Sequence, residues 1–248
     1  FLGKWHAEKA NNLENAILVA IVESDQTSQK TAKEKFPDLQ IVSNVKEIMD
    51  LIDAAIVVTP TSTHYGLVQL LLSHNKHVFC EKPLTSKLEN SLKIKNQLNE
   101  KNLVLQVGHS ERFHEVWDKK EYYSSYLQSP CSVKISRFAP FKGRATDVDV
   151  VQDLMIHDLD LLNMLLNDDP EEITSIGFKS LTSNWDHVET LLKFKNGNQS
   201  SIIVGRNSVT EVRQVEITNK KGTLLIDLLN TEISRIEKKE VIKTKYNK

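Results

Sequence analysis

In the first part of the chain, short apolar runs alternate with longer polar or amphipathic stretches, the pattern of strands exchanging with helices. Residues 5–10 read as a helix, 16–22 as a buried strand ending at Glu23, 27–36 as a polar helix, 39–42 as a short strand and 45–51 as a helix. Residues 54–58, Ala-Ala-Ile-Val-Val, form a near-continuous apolar run of the kind found in parallel strands covered on both faces. A helix over 63–72 and a short strand over 77–80 follow. Ser86 and Glu89 fit a capping box that opens a helix to about residue 100, and 104–107 supplies a last strand. Strand and helix repeating with short connections predict a right-handed doubly wound parallel sheet.

Beyond about Leu127 the pattern changes. Residues 131–138 read as a strand, and within 150–166 Leu154, Leu161, Leu162 and Leu165 recur at helical spacing. Alternating runs then appear with hairpin signals between them: Asn196-Gly197 between 188–194 and 200–204, and Asn219-Lys220-Lys221-Gly222 between 212–217 and 223–226. They predict a mostly antiparallel sheet with the 150–166 helix on one face. The expected class is α/β: an incomplete doubly wound Rossmann-type parallel sheet over 1–115, then an α+β domain over 116–248, with a substrate cleft at the seam. Phe1 falls inside what reads as a glycine-rich turn, so the first strand is expected to precede it, and the second domain is expected to continue past Lys248.

The 248 residues are 40% hydrophobic and 26% charged, ordinary for a chain that buries a core. Lysine and arginine number 32 against 33 acidic residues, with no strongly one-signed block. A net charge of −1 gives no electrostatic footprint for nucleic acid or a membrane surface, which leaves a small molecule as the expected partner. Cys80 and Cys131 belong to no Cys-x-x-Cys or Cys/His cluster, which argues against a disulfide scaffold or a zinc site and fits the reducing cytoplasm. No apolar run approaches the roughly 18 residues of a membrane span, and no secretory leader is recognised.

Asp153 and His157 stand four apart, which on a helix puts carboxylate and imidazole on one face. A carboxylate within reach fixes the imidazole's tautomer and raises its basicity, as removal of a hydroxyl proton near neutral pH requires. The same spacing also serves simple surface pairs. Glu23 comes twenty residues after Gly3, the separation at which dinucleotide-binding folds place an acidic residue on the adenosine ribose. Residues 58–64, Val-Thr-Pro-Thr-Ser-Thr-His, lie at the carboxyl end of a parallel strand, where open α/β sheets bind ligands; they read equally as a turn capped by Thr61 or Thr63. Glu81-Lys82-Pro83 ends the next strand, where a lysine either stabilises a substrate's developing alkoxide or snorkels at the surface. Lys142 and Arg144 suit a diphosphate or a solvated loop. His6, His74, His77, His114 and His187 read as surface or supporting residues, and Trp5, Trp117 and Trp185 as packing or interface residues.

Taken in order, Gly3, Thr59-Pro60-Thr61 with His64, Glu81-Lys82-Pro83, Gly108-His109-Ser110-Glu111-Arg112-Phe113 and Asp153-x-x-x-His157-Asp158-x-Asp160 closely resemble the glucose–fructose oxidoreductase/inositol dehydrogenase (Gfo/Idh/MocA) family. The resemblance runs from Gly3 to at least Asp160, and the hairpin-rich remainder suits that family's second domain. It implies an NAD-dependent dehydrogenase acting on a sugar or sugar-nucleotide hydroxyl, with Lys82, Asp153 and His157 catalytic. It further implies cofactor contacts from Gly3, Glu23, Thr59, Pro60, His64, Glu81 and Lys82, and substrate contacts from His109, Arg112 and Arg144. Homo-oligomers formed through the second-domain sheet are expected, and no metal. Where members often carry glycines ahead of the aspartate, this chain has Asp147-Val148-Asp149-Val150-Val151-Gln152, more like the sugar-nucleotide members. With no arginine among residues 24–30, Glu23 predicts NAD over NADP. Two other readings of the fold are a non-catalytic sensor of a dinucleotide or sugar, disfavoured by retention of lysine, aspartate and histidine together, and a reductase of a non-sugar substrate.

Overall fold

Short parallel strands alternate with helices in the first unit, as the apolar runs predict. The computed structural model describes residues 2–143, 148–237 and 240–245, and the chain divides into Phe1–Gly108 and His109–Lys248, earlier than the division expected after residue 115. The first unit contains α1 (Leu2–Asn11), β1 (Ala20–Val22), α2 (Gln26–Lys35), β2 (Gln40–Val42), β3 (Ala54–Val57), α3 (Thr61–Ser73), β4 (His77–Cys80), α4 (Leu88–Asn99) and β5 (Leu105–Val107). β1 and β2 form one parallel sheet, and β3, β4 and β5, in that order, form another. The core is built by Val57, Val78 and Cys80 of the strands, Val68, Leu71 and Leu72 of α3, and Ile94 of α4. Positions 68, 71 and 72 are the i, i+3, i+4 stripe of one helix face.

Three local details go beyond or against the expectation. The strand expected over 16–22 shrinks to Ala20–Val22, because an apolar run makes a buried strand only where something covers it, and Ile17 is 88% exposed. Residues Val45–Leu51 form the helix expected there, wound as a 3-10 helix, and it is this segment that carries a capping box: the Asn44 side chain accepts from the Lys46 amide, and Glu47 accepts from the Asn44 amide. α4 starts at Leu88 with Lys87 as its cap residue and no side-chain cap hydrogen bond from it, one position past the Ser86 expected to open the helix.

The second unit adds α5 (Lys120–Tyr123), β6 (Ser132–Phe138), α6 (Ile156–Leu166), β7 (Glu172–Phe178), β8 (His187–Lys193), β9 (Gln199–Gly205), β10 (Val212–Asn219), β11 (Gly222–Asp227), β12 (Glu232–Glu237) and β13 (Glu240–Lys245). Its eight strands make one sheet in the order β13-β12-β11-β10-β6-β9-β8-β7, antiparallel except for β6 beside β9. The Asn196-Gly197 turn joins β8 to β9 with Gly197 at φ +83°, a conformation that favours glycine. The next hairpin turn is tighter than predicted, only Lys220 and Lys221 separating β10 from β11.

Strand register sorts the faces of this sheet. Leu192, Ser200, Val133, Ile217 and Leu224 lie side by side across five strands and are all buried. This face shares one core with Leu161 and Leu162 of α6, with Leu154 and Leu165 packed against it. Deleting such a buried leucine side chain costs about 2–5 kcal/mol. The neighbouring row, Leu191, Ser201, Lys134, Glu216 and Leu225, points the other way and is exposed or half-buried.

Candidate active site

The first unit presents its candidate residues at the carboxyl ends of its strands. Gly3 lies in the first turn of α1, and a Cβ added there would meet only open space, so backbone amides and not a side chain line that surface. Glu23 follows β1: its amide donates to the Val42 carbonyl at 3.0 Å, and its Oε1 accepts from the Asp25 amide at 2.9 Å. Thr59 and Pro60 follow β3 and are exposed, with Pro60 as the cap residue of α3 and no side-chain cap from Thr61. The Thr63 hydroxyl lies 2.6 Å from that of Thr59 and 2.8 Å from the Pro60 carbonyl. Glu81, Lys82 and Pro83 follow β4, with the Lys82 side chain half-buried.

Two histidines sit behind this surface. His64, expected among the cofactor contacts, is only 1% exposed; its Nδ1 lies 2.8 Å from the Pro83 carbonyl and its Nε2 2.8 Å from the Thr59 carbonyl. With both ring nitrogens occupied by backbone oxygens, it ties the end of β3 to the end of β4. His6, read from sequence as a surface or supporting residue, is half-buried, and its Nε2 is 2.8 Å from Glu81 Oε1. Glu81, also expected at the cofactor, holds its Oε2 3.2 Å from the Lys82 amide, so its carboxylate is engaged from two sides.

In the second unit, the segment entering α6 is held before the helix begins. Asp149 Oδ1 accepts from the Val151 and Gln152 amides, both at 3.0 Å, which satisfies two of the donors that a helix start leaves orphaned. The Val150 amide donates to the Trp185 carbonyl, and Arg206 Nη1 donates to the Val148 carbonyl. Arg206 also donates to Asp186, which is fully buried. Burial alone would raise the Asp186 carboxyl, but the Thr182, Leu181 and Ser180 amides and Arg206 hold it well below the usual carboxylate range.

Between these anchors and α6, residues Val151–Met155 form a π-helical turn, marked by the Ile156 amide donating to the Val151 carbonyl. Such turns recur at functional sites, and this one carries Asp153, with His157 just after it and both half-buried. The sequence spacing had implied a regular α-helix throughout.

Asp160, which shares the motif with His157, binds back to the segment that begins at His109, and Asp158 reaches the same segment through Arg137 and Glu111. Arg112 grips Asp160 with two bonds of 2.6 and 2.7 Å, and His109 Nδ1 lies 3.8 Å from the same carboxylate. Arg112, expected to reach substrate, thus has its fork on α6. Arg144 lies outside the described residues, and Lys142 is 3.5 Å from Glu211. Asp158 is fully buried, and its Oδ1 accepts a 2.8 Å hydrogen bond from Arg137 Nε, with Nη2 also 2.8 Å away in the ion pair. Arg137 also donates to Glu111 Oε1 at 3.0 Å, and Arg213, its cross-strand partner, reaches the same oxygen at 3.2 Å. Glu111 therefore offsets the repulsion of two opposed arginines. Asp158 Oδ2 has no hydrogen-bond partner among the described residues. Burial pushes the Asp158 carboxyl up to about 6, although Arg137 pulls it down.

Glu111, Arg137, Asp149, Asp158, Asp186 and Arg206 were given no role from sequence. Arg137 did carry a signal: it continues the alternation of Val133 and Ile135 and so stands at a buried position, which a guanidinium occupies only with partners.

The first unit's residues fit a dinucleotide. Open amides at the start of α1 suit a pyrophosphate. Glu23 keeps acceptor capacity for a ribose hydroxyl beyond its one bond to Asp25. Comparison with known proteins agrees. Residues 1–109 match the oxidoreductase family with an NAD-binding Rossmann fold, and residues 133–225 match the GFO/IDH/MocA C-terminal domain. The chain is 27% identical over 237 residues to UDP-N-acetylglucosamine 3-dehydrogenase of Acidithiobacillus ferrooxidans, covering 94% of this chain and 72% of that protein. It is 25% identical over 241 residues to myo-inositol 2-dehydrogenase of Thermotoga maritima, covering 91% and 72%. A solved structure of the Acidithiobacillus enzyme superposes with a TM-score of 0.88 at 26% identity, over 100% of this chain and 80% of that one. Motifs, fold and relatives agree: the chain belongs to the Gfo/Idh/MocA family of NAD-dependent oxidoreductases.

Proposed function

We propose that this protein oxidises a hydroxyl of a sugar nucleotide, with UDP-N-acetylglucosamine the first candidate, and that Lys82, Asp153 and His157 act on that hydroxyl. The observation that carries the reading is the retention of all three chemical groups on anchored backbone: the lysine on the tied turn after β4, the carboxylate and imidazole at the π turn of a buried-core helix. His157 takes the hydroxyl proton, Asp153 orients its ring, and Lys82 donates to the oxygen as negative charge develops there. NAD, when bound, supplies the hydride acceptor. Gly3 amides and Glu23 would hold its pyrophosphate and adenosine ribose, with Thr59 and Pro60 further along the strand ends.

The similarity to the Acidithiobacillus sugar-nucleotide enzyme, together with the Asp149-capped segment in place of glycines, supports a sugar nucleotide over a free polyol. Exposed Ile176, Phe178 and Leu191 on the uncovered face of the eight-stranded sheet support assembly with further copies. Two buried free thiols support a cytoplasmic setting. The test is NADH formation by the full-length protein given NAD with UDP-N-acetylglucosamine, UDP-glucose or myo-inositol. We expect kcat/KM for one of the sugar nucleotides to exceed that for myo-inositol at least about tenfold, a difference of about 1.4 kcal/mol in transition-state binding. Equal or better use of myo-inositol, or no NADH with any of the three, would overturn the reading.

A further inference from the structure

The parallel ladder that fixes β4 ends with the Glu81 amide donating to the Val57 carbonyl at 2.9 Å, so Lys82 stands just past the regular hydrogen bonds. A lysine side chain has four flexible bonds, and a site group has to be held within roughly 0.5 Å to act. The backbone on either side sets where that side chain starts, and two imidazoles hold it.

On the amino side, His6 reaches Glu81 Oε1 at 2.8 Å, and its ring leans on Phe79 with centroids 5.3 Å apart. The other oxygen, Oε2, receives the Lys82 amide at 3.2 Å. Gly108, at the end of β5, completes the enclosure: a Cβ there would come within 3.0 Å of the Glu81 carboxylate carbon and both its oxygens. On the carboxyl side, His64 holds the Pro83 carbonyl with one ring nitrogen and the Thr59 carbonyl with the other, both at 2.8 Å. A carbonyl only accepts, so His64 donates to one or, when protonated, to both.

We propose that His6 and His64 are positioning residues for Lys82, gripping the residues before and after it through the Glu81 carboxylate and the Pro83 carbonyl. The proposal rests on the reading of Lys82 given above. His6 lies one turn beyond Gly3 on α1, and His64 one turn beyond Pro60 on α3, so each helix that meets the dinucleotide at its start also holds the lysine's turn. Gly108 is glycine because the gripped carboxylate leaves no room for a side chain.

The test uses the full-length protein and four variants: His6→Ala, His6→Gln, Gly108→Ala and Lys82→Met. Reductive methylation with isotope-labelled formaldehyde gives each lysine an NMR signal, and the one missing from Lys82→Met is assigned to Lys82. In His6→Ala that signal should sharpen toward that of a freely moving lysine, and kcat of unmethylated protein should fall about thirtyfold or more, while the NAD dissociation constant stays within about threefold, the pattern of lost alignment rather than lost binding. His6→Gln, whose amide can still donate to Glu81, should recover much of both. Gly108→Ala should act in the same direction by pushing the carboxylate off His6. An unchanged Lys82 signal in both His6→Ala and Gly108→Ala overturns the proposal, as does a loss of activity that His6→Gln does not relieve. If Lys82→Met keeps normal turnover, the catalytic reading of Lys82 falls, while the NMR comparison still decides whether His6 fixes it.

Discussion

The turn that carries Lys82 and the helix that carries His157 are aimed by different physics. The turn is held by hydrogen bonds from two imidazoles and by a glycine-sized gap, with Glu81 and His6 both partly open to solvent. The helix rests on two ion pairs buried from water, Asp158 on Arg137 and Asp186 on Arg206, and on the part-buried Glu111, which takes Arg137 and the more exposed Arg213. A hydrogen bond that exchanges with water contributes about 0.5–1.5 kcal/mol, and one to a charged group about 1.5–3. A buried charge stripped of its partner costs about 3–5 kcal/mol. The lysine turn therefore has room to move at small expense in stability, whereas the histidine helix tolerates little change in its supports.

The largest effect that would break this contrast concerns Arg137. Arg137→Ala should destabilise the protein by about 3–5 kcal/mol in denaturant titrations, because it strands the fully buried Asp158 and leaves Glu111 with Arg213 alone. Replacing Arg137 with Met and Asp158 with Leu together should cost far less, since the buried charge and its partner leave as a pair. His6→Ala should cost no more than about 3 kcal/mol, the upper range for a hydrogen bond to a charged group. Equal losses for Arg137→Ala and the double variant would show that the ion pair is not what supports the helix.

A second effect is smaller and has a sign. The Asp158 carboxyl titrates near 6 in the folded chain, above its ordinary value of 3.8, so the folded state binds the proton more tightly than the unfolded state. The stability this contributes is full below about pH 4 and is lost as pH rises through 6, at most about 3 kcal/mol from a shift of roughly two units. Asp186 acts in the opposite sense: held below the ordinary carboxylate value, it contributes stability above that range which is lost as pH falls. Asp158→Asn should remove the decline between pH 4 and 6 from the stability profile, measured by denaturant melts across that interval. A decline of unchanged size would place its source elsewhere.

The sequence exposed the scaffold of both regions but only part of their support. Strand ends at Cys80 and Val57 follow from apolar runs, and so do the hairpins at Gly197 and Gly222, because local residue types decide them. The run over 16–22 misled because hydrophobicity reports a preference for burial and not the presence of a cover, and Ile17 has none. The π turn at Val151–Met155 had no local signature, since its position is set by anchors at Trp185 and Arg206, far along the chain. Arg137 was recognisable as a buried charge from its place in an alternating strand, but its partners Asp158 and Glu111 are 21 and 26 residues away and no spacing rule links them. His6 reads as a surface or supporting residue, but its acceptor Glu81 lies 75 residues on and no spacing rule names it.

The smallest expected effect sharpens the account of the first unit alone. Glu23 presents a carboxylate after β1, and in the role proposed for it at the adenosine ribose, where NADP carries a phosphate and NAD a hydroxyl, NAD should be preferred by at least about tenfold in kcat/KM, equivalent to about 1.4 kcal/mol. Glu23→Ala should erase most of that preference in steady-state kinetics. An unchanged ratio would reduce Glu23 to the polar end of a strand.

Whether Lys82 and His157 both act in turnover, as proposed, is decided by the turnover of Lys82→Met and His157→Ala in the full-length protein, with NAD affinity measured alongside. Each variant should lose at least about a hundredfold in kcat, the scale of general acid/base or oxyanion help, while NAD affinity changes far less. Near-normal turnover in both variants would contradict the proposal.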